Sequence, residues 1–350
     1  MEWARPRGMS GTRCAVTVAR GRRSLRILFR PLVPIVGVEI AYLMSGVARL
    51  SARRVGLALV YHGVAEQPAS GGAELLPAHE ATLFEAQLRH LEARYQVVPA
   101  SALKTAVEAR GRGQRFPVAI TFDDDLPSHT RVAMPALERV GLPATFFVCG
   151  ASLRAPFAFW WERLQSAVDR GIQDLPPPGS ASAADSAGAR SAETIEAVAL
   201  QVEELNTAER DAFAAMLESR LGGDPPGAGM RAGEIEALAA RGFEIGFHTR
   251  RHDRLPPLPD DGLAAAMSDG RAEIEEVLGR RLAAISYPHG KADARVATAA
   301  RAAGFRYGFT GRAEPILETT DALLMGRLGP SYSSLGRFAF QLASALSRGG

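Results

Sequence analysis

From Arg54 onward the chain alternates short apolar runs with longer stretches whose apolar residues recur at helical spacing, the pattern of a β/α architecture. The strand-like runs cover residues 56–61, 95–98, 118–122, 144–148, 243–247, 283–287, 305–309 and 323–325. Their number predicts an α/β fold built as a distorted (β/α) barrel of seven or eight strands. Helices are predicted between them over 82–94, 102–110, 132–140, 234–240, 263–278 and 295–303. In the fifth of these Leu263, Met267, Ile274, Val277 and Leu278 fall on one face. The turn signals Gly141-Leu142-Pro143, Arg241-Gly242 and Ala303-Gly304 sit where a helix gives way to the next run.

One region breaks the alternation. Residues 171–229 hold Pro-, Gly-, Ser- and Ala-rich pieces around a helical stretch at 193–221, and read as a helical insertion on a barrel loop. The Trp160-Trp161 pair that leads into it suits either the core or an aromatic wall for a sugar ring. The barrel is expected over 55–335 and a C-terminal helix and tail over 336–350.

A hydrophobic content of 47% in 350 residues supports a full-sized core. The net charge of +3 hides an asymmetry, because residues 1–54 carry eleven Arg against Glu2 and Glu39. This basic N-terminal leader includes an apolar stretch, 31–48, with a single charge. Its length is near the lower limit for spanning a bilayer, and Glu39, Pro34 and two glycines weaken that reading. Arg49, Arg53 and Arg54 follow where a secretory signal would carry a small-residue cleavage site. A membrane-surface or short anchoring helix, a disordered or wrongly assigned start, and a spanning helix are the three readings, and basic flanks suit anionic lipid. No aromatic interleaving or binding motif supports nucleic acid as a partner. The cytoplasmic face of a membrane is the expected location, with an uncleaved anchor and an extracytoplasmic barrel as the alternative. Cys14 and Cys149 are the only cysteines, so neither a disulfide framework nor a thiolate zinc site is available.

The chemistry concentrates at three strand ends. The run Val118 to Phe122 stops abruptly in Asp123-Asp124-Asp125, three acids that repel one another unless a cation or proton compensates; a helix cap would need only one. The run ending at Phe247 passes directly into His248-Thr249-Arg250-Arg251-His252, two imidazoles spaced to converge on one ion if the segment turns once. Both features sit at carboxyl ends of strands, where β/α barrels place their sites. Two imidazoles and a carboxylate with positions left open form the donor set of a catalytic zinc or a related divalent ion. The third feature is Ser286-Tyr287-Pro288-His289-Gly290, where Pro288 and Gly290 favour a tight turn able to present a backbone N–H to a substrate oxygen.

In this order the three segments resemble the polysaccharide deacetylase family, or NodB homology domain. Its Thr-Phe-Asp-Asp-Gly motif is similar to Thr121-Phe122-Asp123-Asp124, with Asp125 where Gly is usual. Its His-Ser/Thr-x-x-His-Pro motif is similar to His248-Thr249-Arg250-Arg251-His252, with Asp253 in place of Pro, and its Tyr-Pro-x-Gly form is similar to Tyr287-Pro288-His289-Gly290. The likeness runs from about Leu57 to about Pro330 and includes the Tyr61-His62 pair.

The resemblance implies a divalent metal, zinc in the first instance, held by Asp124, His248 and His252, with Asp123 as the base that takes a proton from the attacking water. It implies hydrolysis of an acetyl group, N-acetyl foremost, on a glycan or glycan precursor, with the turn Tyr287, Pro288, His289 and Gly290 beside the substrate oxyanion. The family's late His that protonates the leaving amine has no counterpart in Leu323-Leu324-Met325-Gly326-Arg327, which leaves His62, His129 and His289 as candidate acids. Arg327 is a candidate for holding a carboxylate, and Ser286 stands where many members have the Arg that orients the base. Hydrolysis of another amide or a phosphoester, with a second ion at the Asp triplet, and a barrel that binds carbohydrate without turnover are the competing readings.

Overall fold

A computed structural model describes residues 46, 48–67, 74–172, 175, 178 and 195–348. Most of the leader, part of the 171–229 stretch and the last two residues lie outside this range. The strands are β1 (Val55–Tyr61), β2 (Val64–Ala65), β3 (His79–Glu80), β4 (Gln96–Val97), β5 (Pro117–Phe122), β6 (Thr145–Val148), β7 (Glu244–Phe247), β8 (Ala284–Ser286), β9 (Tyr307–Phe309) and β10 (Ile316–Leu317). The main sheet runs β10-β1-β5-β6-β7-β8-β9, with β4 beside the start of β5 and β2 paired only to β3. All neighbours in the main sheet are parallel except β10, which runs antiparallel to β1. Every residue of β5 is buried, as are all but Val60 in β1, so these strands read as unbroken apolar runs.

The expected eighth strand at 323–325 is reduced to two single bridges. Met325 pairs with Phe309 of β9, and Leu328 pairs with Leu59 of β1. The segment crosses from one sheet edge to the other and closes the curled sheet without forming a ladder of its own. Gly326 allows the crossing, since a Cβ there would lie 2.5 Å from the Arg312 carbonyl oxygen. β10 was invisible in the sequence because a two-residue pairing carries no period.

Helices cover Ala81–Arg94, Ala100–Ala109, Met134–Val140, Trp160–Asp169, Ile195–Glu204, Thr207–Leu221, Ala232–Ala240, Asp260–Ser268, Arg271–Leu278, Ala294–Ala302 and Leu335–Arg348. Two expected helices differ from the sequence pattern. The stretch at 263–278 is split where Gly270 takes φ +74°, and the helix at Met134 is entered through a π turn, His129–Ala133. The helical stretch at 193–221 is likewise two helices. Asn206 accepts the Glu209 N–H while Glu209 accepts the Asn206 N–H, a capping box that starts a new helix.

The described residues form four apolar clusters. The main one packs one face of the strands, including Leu57, Leu59, Ile120 and Phe146, against the surrounding helices. The second packs Trp160, Trp161 and Leu164 against Ile195, Ala199, Val202, Phe213 and Leu217. The third joins the alternate strand positions Ala58, Ala119, Phe147, Ala284 and Phe309 to Met325 and the helix Ala100–Ala109, and the smallest is Ala339 with Ala343. No helix among the described residues is long and apolar enough to cross a membrane.

Candidate metal centre and active site

β5 ends at the carboxyl edge of the sheet, and Asp124 takes the left-handed conformation, φ 67°. That change of direction sends three consecutive carboxylates to three different partners. Asp123 turns to Arg327, which donates from Nη1 at 2.7 Å and from Nη2 at 2.6 Å, and the Ser286 hydroxyl adds a third bond at 2.9 Å. Asp125 accepts the backbone N–H of Cys149 at 2.7 Å and of Gly150 at 2.9 Å. Asp124 turns to the histidines.

β7 carries His248 into the same space, with its N–H bonded to Val148. The carbonyl of Ser286 accepts a hydrogen bond from His248 Nδ1 at 2.8 Å. A carbonyl can only accept, so Nδ1 carries the hydrogen and Nε2 of the neutral ring presents a lone pair, the usual outer-shell arrangement of a ligating imidazole. Thr249 and His252 both adopt left-handed φ, 52° and 51°, which coils the intervening residues into a tight turn. The turn returns His252 to the same carboxylate. His248 Nε2 lies 3.4 Å and His252 Nε2 3.5 Å from Asp124 Oδ1. One donor atom from each of the three residues lies within 4.8 Å of the others, and all three residues are buried.

These positions fit a divalent cation. Donors about 2 Å from an ion in tetrahedral arrangement are about 3.3 Å apart. Both Asp124 carboxylate oxygens are buried without a hydrogen-bond donor, a state that is costly unless a cation compensates. Zinc and related ions match the donor set of two imidazoles and a carboxylate.

Electrostatics separate the two neighbouring acids. Burial opposes ionisation of Asp123, but Arg327 and, behind it, His248 and His62 outweigh it and hold the carboxyl well below the usual range. Asp125 moves the other way. Burial pushes it up to about 6, against the two backbone N–H bonds. Burial also disfavours a charge on His248, yet the Asp123 and Asp124 carboxylates together raise it above the ordinary imidazole value.

A cavity of about 530 Å³ opens over the triad, and its walls include His62, Asp123, His248, His252, His289, Gly290, Arg312, Arg327 and Tyr332. Among the candidate acids, His62 and His289 therefore reach the cavity and His129 does not. His129 is fully buried, edge-on to Phe122 and tilted against Phe146, and its Nε2 donates to the His62 carbonyl at 3.2 Å. His289 stands at φ 57° with its ring 4.7 Å from that of His252 and its Nδ1 3.8 Å from Glu203. Gly290 packs on Gly311, where an added Cβ would come within 2.5 Å.

Tyr287 lies apart from the other residues of its turn. Its ring is buried in the core and its hydroxyl donates to the Leu323 carbonyl at 2.8 Å, away from the cavity. Pro288 is buried and opens the turn. The tryptophans are core residues. Trp161 stacks on Phe159 and abuts the His252 ring at 4.7 Å, and neither tryptophan lines the large cavity. Sequence reasoning missed Glu203, Arg210, Arg312 and Tyr332, which come from segments with no recognisable motif.

The polysaccharide deacetylase family model matches residues 110–175 and 206–308. These residues make up a polysaccharide deacetylase domain. The match resumes at 206, so the helix Thr207–Leu221 falls inside it. No curated protein matches the sequence. Among solved structures, the chain is similar to the deacetylase PplD of Streptococcus pyogenes, solved in complex with acetate, at 16% identity and TM-score 0.55 over 83% of this chain and 98% of that one. It is similar to IcaB from Ammonifex degensii at 19% identity and TM-score 0.54, over 82% and 97%. A polysaccharide deacetylase from Bacillus cereus aligns at 16% identity and TM-score 0.53, over 84% and 69%. At these identities the likeness is one of fold.

Proposed function

We propose that this chain is a divalent-metal-dependent hydrolase that removes acetyl groups, N-acetyl foremost, from a glycan or glycan precursor. The observation that carries the reading is a clamped, ionised carboxylate, Asp123, standing beside three buried donors that converge on one point.

Asp124, His248 and His252 would hold the ion. When bound, a divalent ion polarises the acetyl carbonyl and acidifies water, so that even a carboxylate as weakly basic as Asp123 suffices to take the proton. Arg327 and Ser286 fix the direction in which Asp123 presents its oxygens. The backbone N–H of His289, at the tip of its turn, serves the developing oxyanion.

His62 is the imidazole best situated to protonate the leaving amine. It lines the same cavity as Asp123, and the strongest charges acting on it are Asp124 and Asp123. Burial lowers its pKa, and those carboxylates oppose the lowering. His289 leans toward Glu203 and His252 instead.

A second ion at the Asp triplet, as a phosphoesterase would use, is disfavoured because Asp125 is committed to the Cys149 and Gly150 N–H groups. Zinc is the proposed metal on donor chemistry. Contact of the basic, apolar leader with an anionic membrane surface, at its cytoplasmic face, is part of the same proposal.

Incubating the metal-loaded chain with acetylated chito-oligosaccharides and measuring free acetate tests the reading. Acetate release that disappears in Asp123→Asn, with metal content unchanged, is expected. A stoichiometric metal without acetate release from any acetylated glycan would overturn it.

A further inference from the structure

The residue after the second metal-ligating histidine is Asp253, where the family motif carries proline. Its carboxylate is buried and is held from outside the barrel. Arg210, in the helix Thr207–Leu221, donates from Nη2 to Asp253 Oδ1, and the Thr207 hydroxyl donates to the same oxygen at 3.3 Å. The Arg251 Nε lies 3.4 Å from the other oxygen. The arginine and aspartate side chains are only 10% and 7% exposed, so this pair is shielded from solvent. Neighbouring contacts tie the same loop to both helices of the insertion: Arg251 reaches Asp211 in Thr207–Leu221, and Arg254 donates to the Glu203 carbonyl in Ile195–Glu204 at 3.0 Å.

What the pair holds is a strained residue. His252 is a non-glycine in the left-handed region, a conformation that persists only where the surroundings over-determine it. Its ring is confined by Trp161 and His289, each 4.7 Å away, but ring contacts do not set the backbone. The backbone is tied by the His252 N–H to the Thr249 carbonyl at 3.3 Å on one side and, one peptide further on, by the anchored side chain of Asp253. We propose that Arg210 is a positioning residue for the metal centre: through its buried pair with Asp253 it keeps His252 in the conformation that aims Nε2 at Asp124.

This rests on the reading of Asp124, His248 and His252 as metal ligands, and the test separates the two. Zinc affinity of the full chain is measured by competition with a chelator, and the visible spectrum of the cobalt-loaded chain reports ligand geometry. Wild-type chain that takes up no ion overturns the ligand assignment itself. Given wild-type binding, Arg210→Met is expected to weaken zinc about ten- to hundredfold, the usual loss on removing an outer-shell partner, and to alter the cobalt spectrum. Arg210→Lys, which keeps the charge and is the milder change should Arg210→Met fail to fold, is expected to recover part of the affinity.

Arg163→Met is the control. It breaks an equally buried pair, Arg163 with Asp224 at 2.6 Å, whose side chains make no bond to residues 248–253. It should lower the melting temperature comparably while leaving zinc affinity within about twofold of wild type. Zinc affinity in the Arg210 variants no weaker than in Arg163→Met would overturn the proposal, whatever happens to acetate release.

Discussion

Arg327 grips Asp123 with both terminal nitrogens, at 2.7 and 2.6 Å, although 204 residues separate them in the chain. Ser286 completes the grip, bonding the carboxylate at 2.9 Å and accepting from Arg327 Nη2 at 2.7 Å. A guanidinium and a hydroxyl together thus orient the acid that the family's third motif often orients with an arginine of its own. The fork geometry matters as much as the charge, because a lysine offers no pair of parallel donors.

Arg327→Lys should therefore retain bound metal yet lose about ten- to hundredfold in acetate release, the range typical of outer-shell losses. Metal content and initial rates on one sample check this. An unchanged rate would mean that charge alone is required.

The three candidate imidazoles predict three different phenotypes. His62→Gln should cost about 10²–10⁴-fold in rate, the usual worth of a general acid, with metal retained. His289→Gln should cost much less. His129→Phe should keep activity and change only the melting temperature, since that side chain lies behind the cavity against Phe122 and Phe146. Rates and melting curves for all three variants distinguish the assignments.

Metal removal should destabilise the fold, because Asp124 is left buried without a donor to either oxygen. An ion at a hundredfold excess over its Kd adds about 2.7 kcal/mol. Thermal melts should show zinc raising the midpoint of the wild type after chelation and leaving His252→Gln and Asp124→Asn unmoved. A zinc-dependent rise in Asp124→Asn would place the ion elsewhere.

Glu162, which is not among the candidate ligands, gives a pH test of stability. Burial pushes its carboxyl up to about 7 from 4.5, against the N–H bond it accepts from Phe159 at 2.8 Å, and the Asp124 and Asp125 charges add to the shift. The native state therefore holds a proton that the unfolded chain has already lost between these values, and stability from this group falls as pH rises from about 4.5 through 7. Glu162→Gln keeps an acceptor and removes the titration. Its stability relative to wild type should increase across that window, by at most about 3.5 kcal/mol at about 1.4 kcal/mol per pKa unit. Denaturant midpoints at pH 5 and pH 8 measure the difference, and parallel curves would refute it.

The local pattern of the chain determined most of the barrel and the donor set. Apolar runs mark β1 and β5 through β9, and the acids and imidazoles follow those runs directly, because strand burial and strand ends are properties of contiguous residues. Helix breaks at Asn206 and Gly270 depended on capping and on a left-handed glycine, which a count of apolar positions does not register.

Only the tertiary structure decided which side chains meet across the barrel. Closure by Met325 and Leu328 carries Arg327 to Asp123; the direction of Tyr287 into the core removes it from the cavity; and burial separates His129 from His62. Arg210 reaches Asp253 and Glu203 reaches His289 from helices whose sequence names no partner. Such pairings arise from the curvature and closure of the sheet, and these are collective properties of many strands that no short segment encodes.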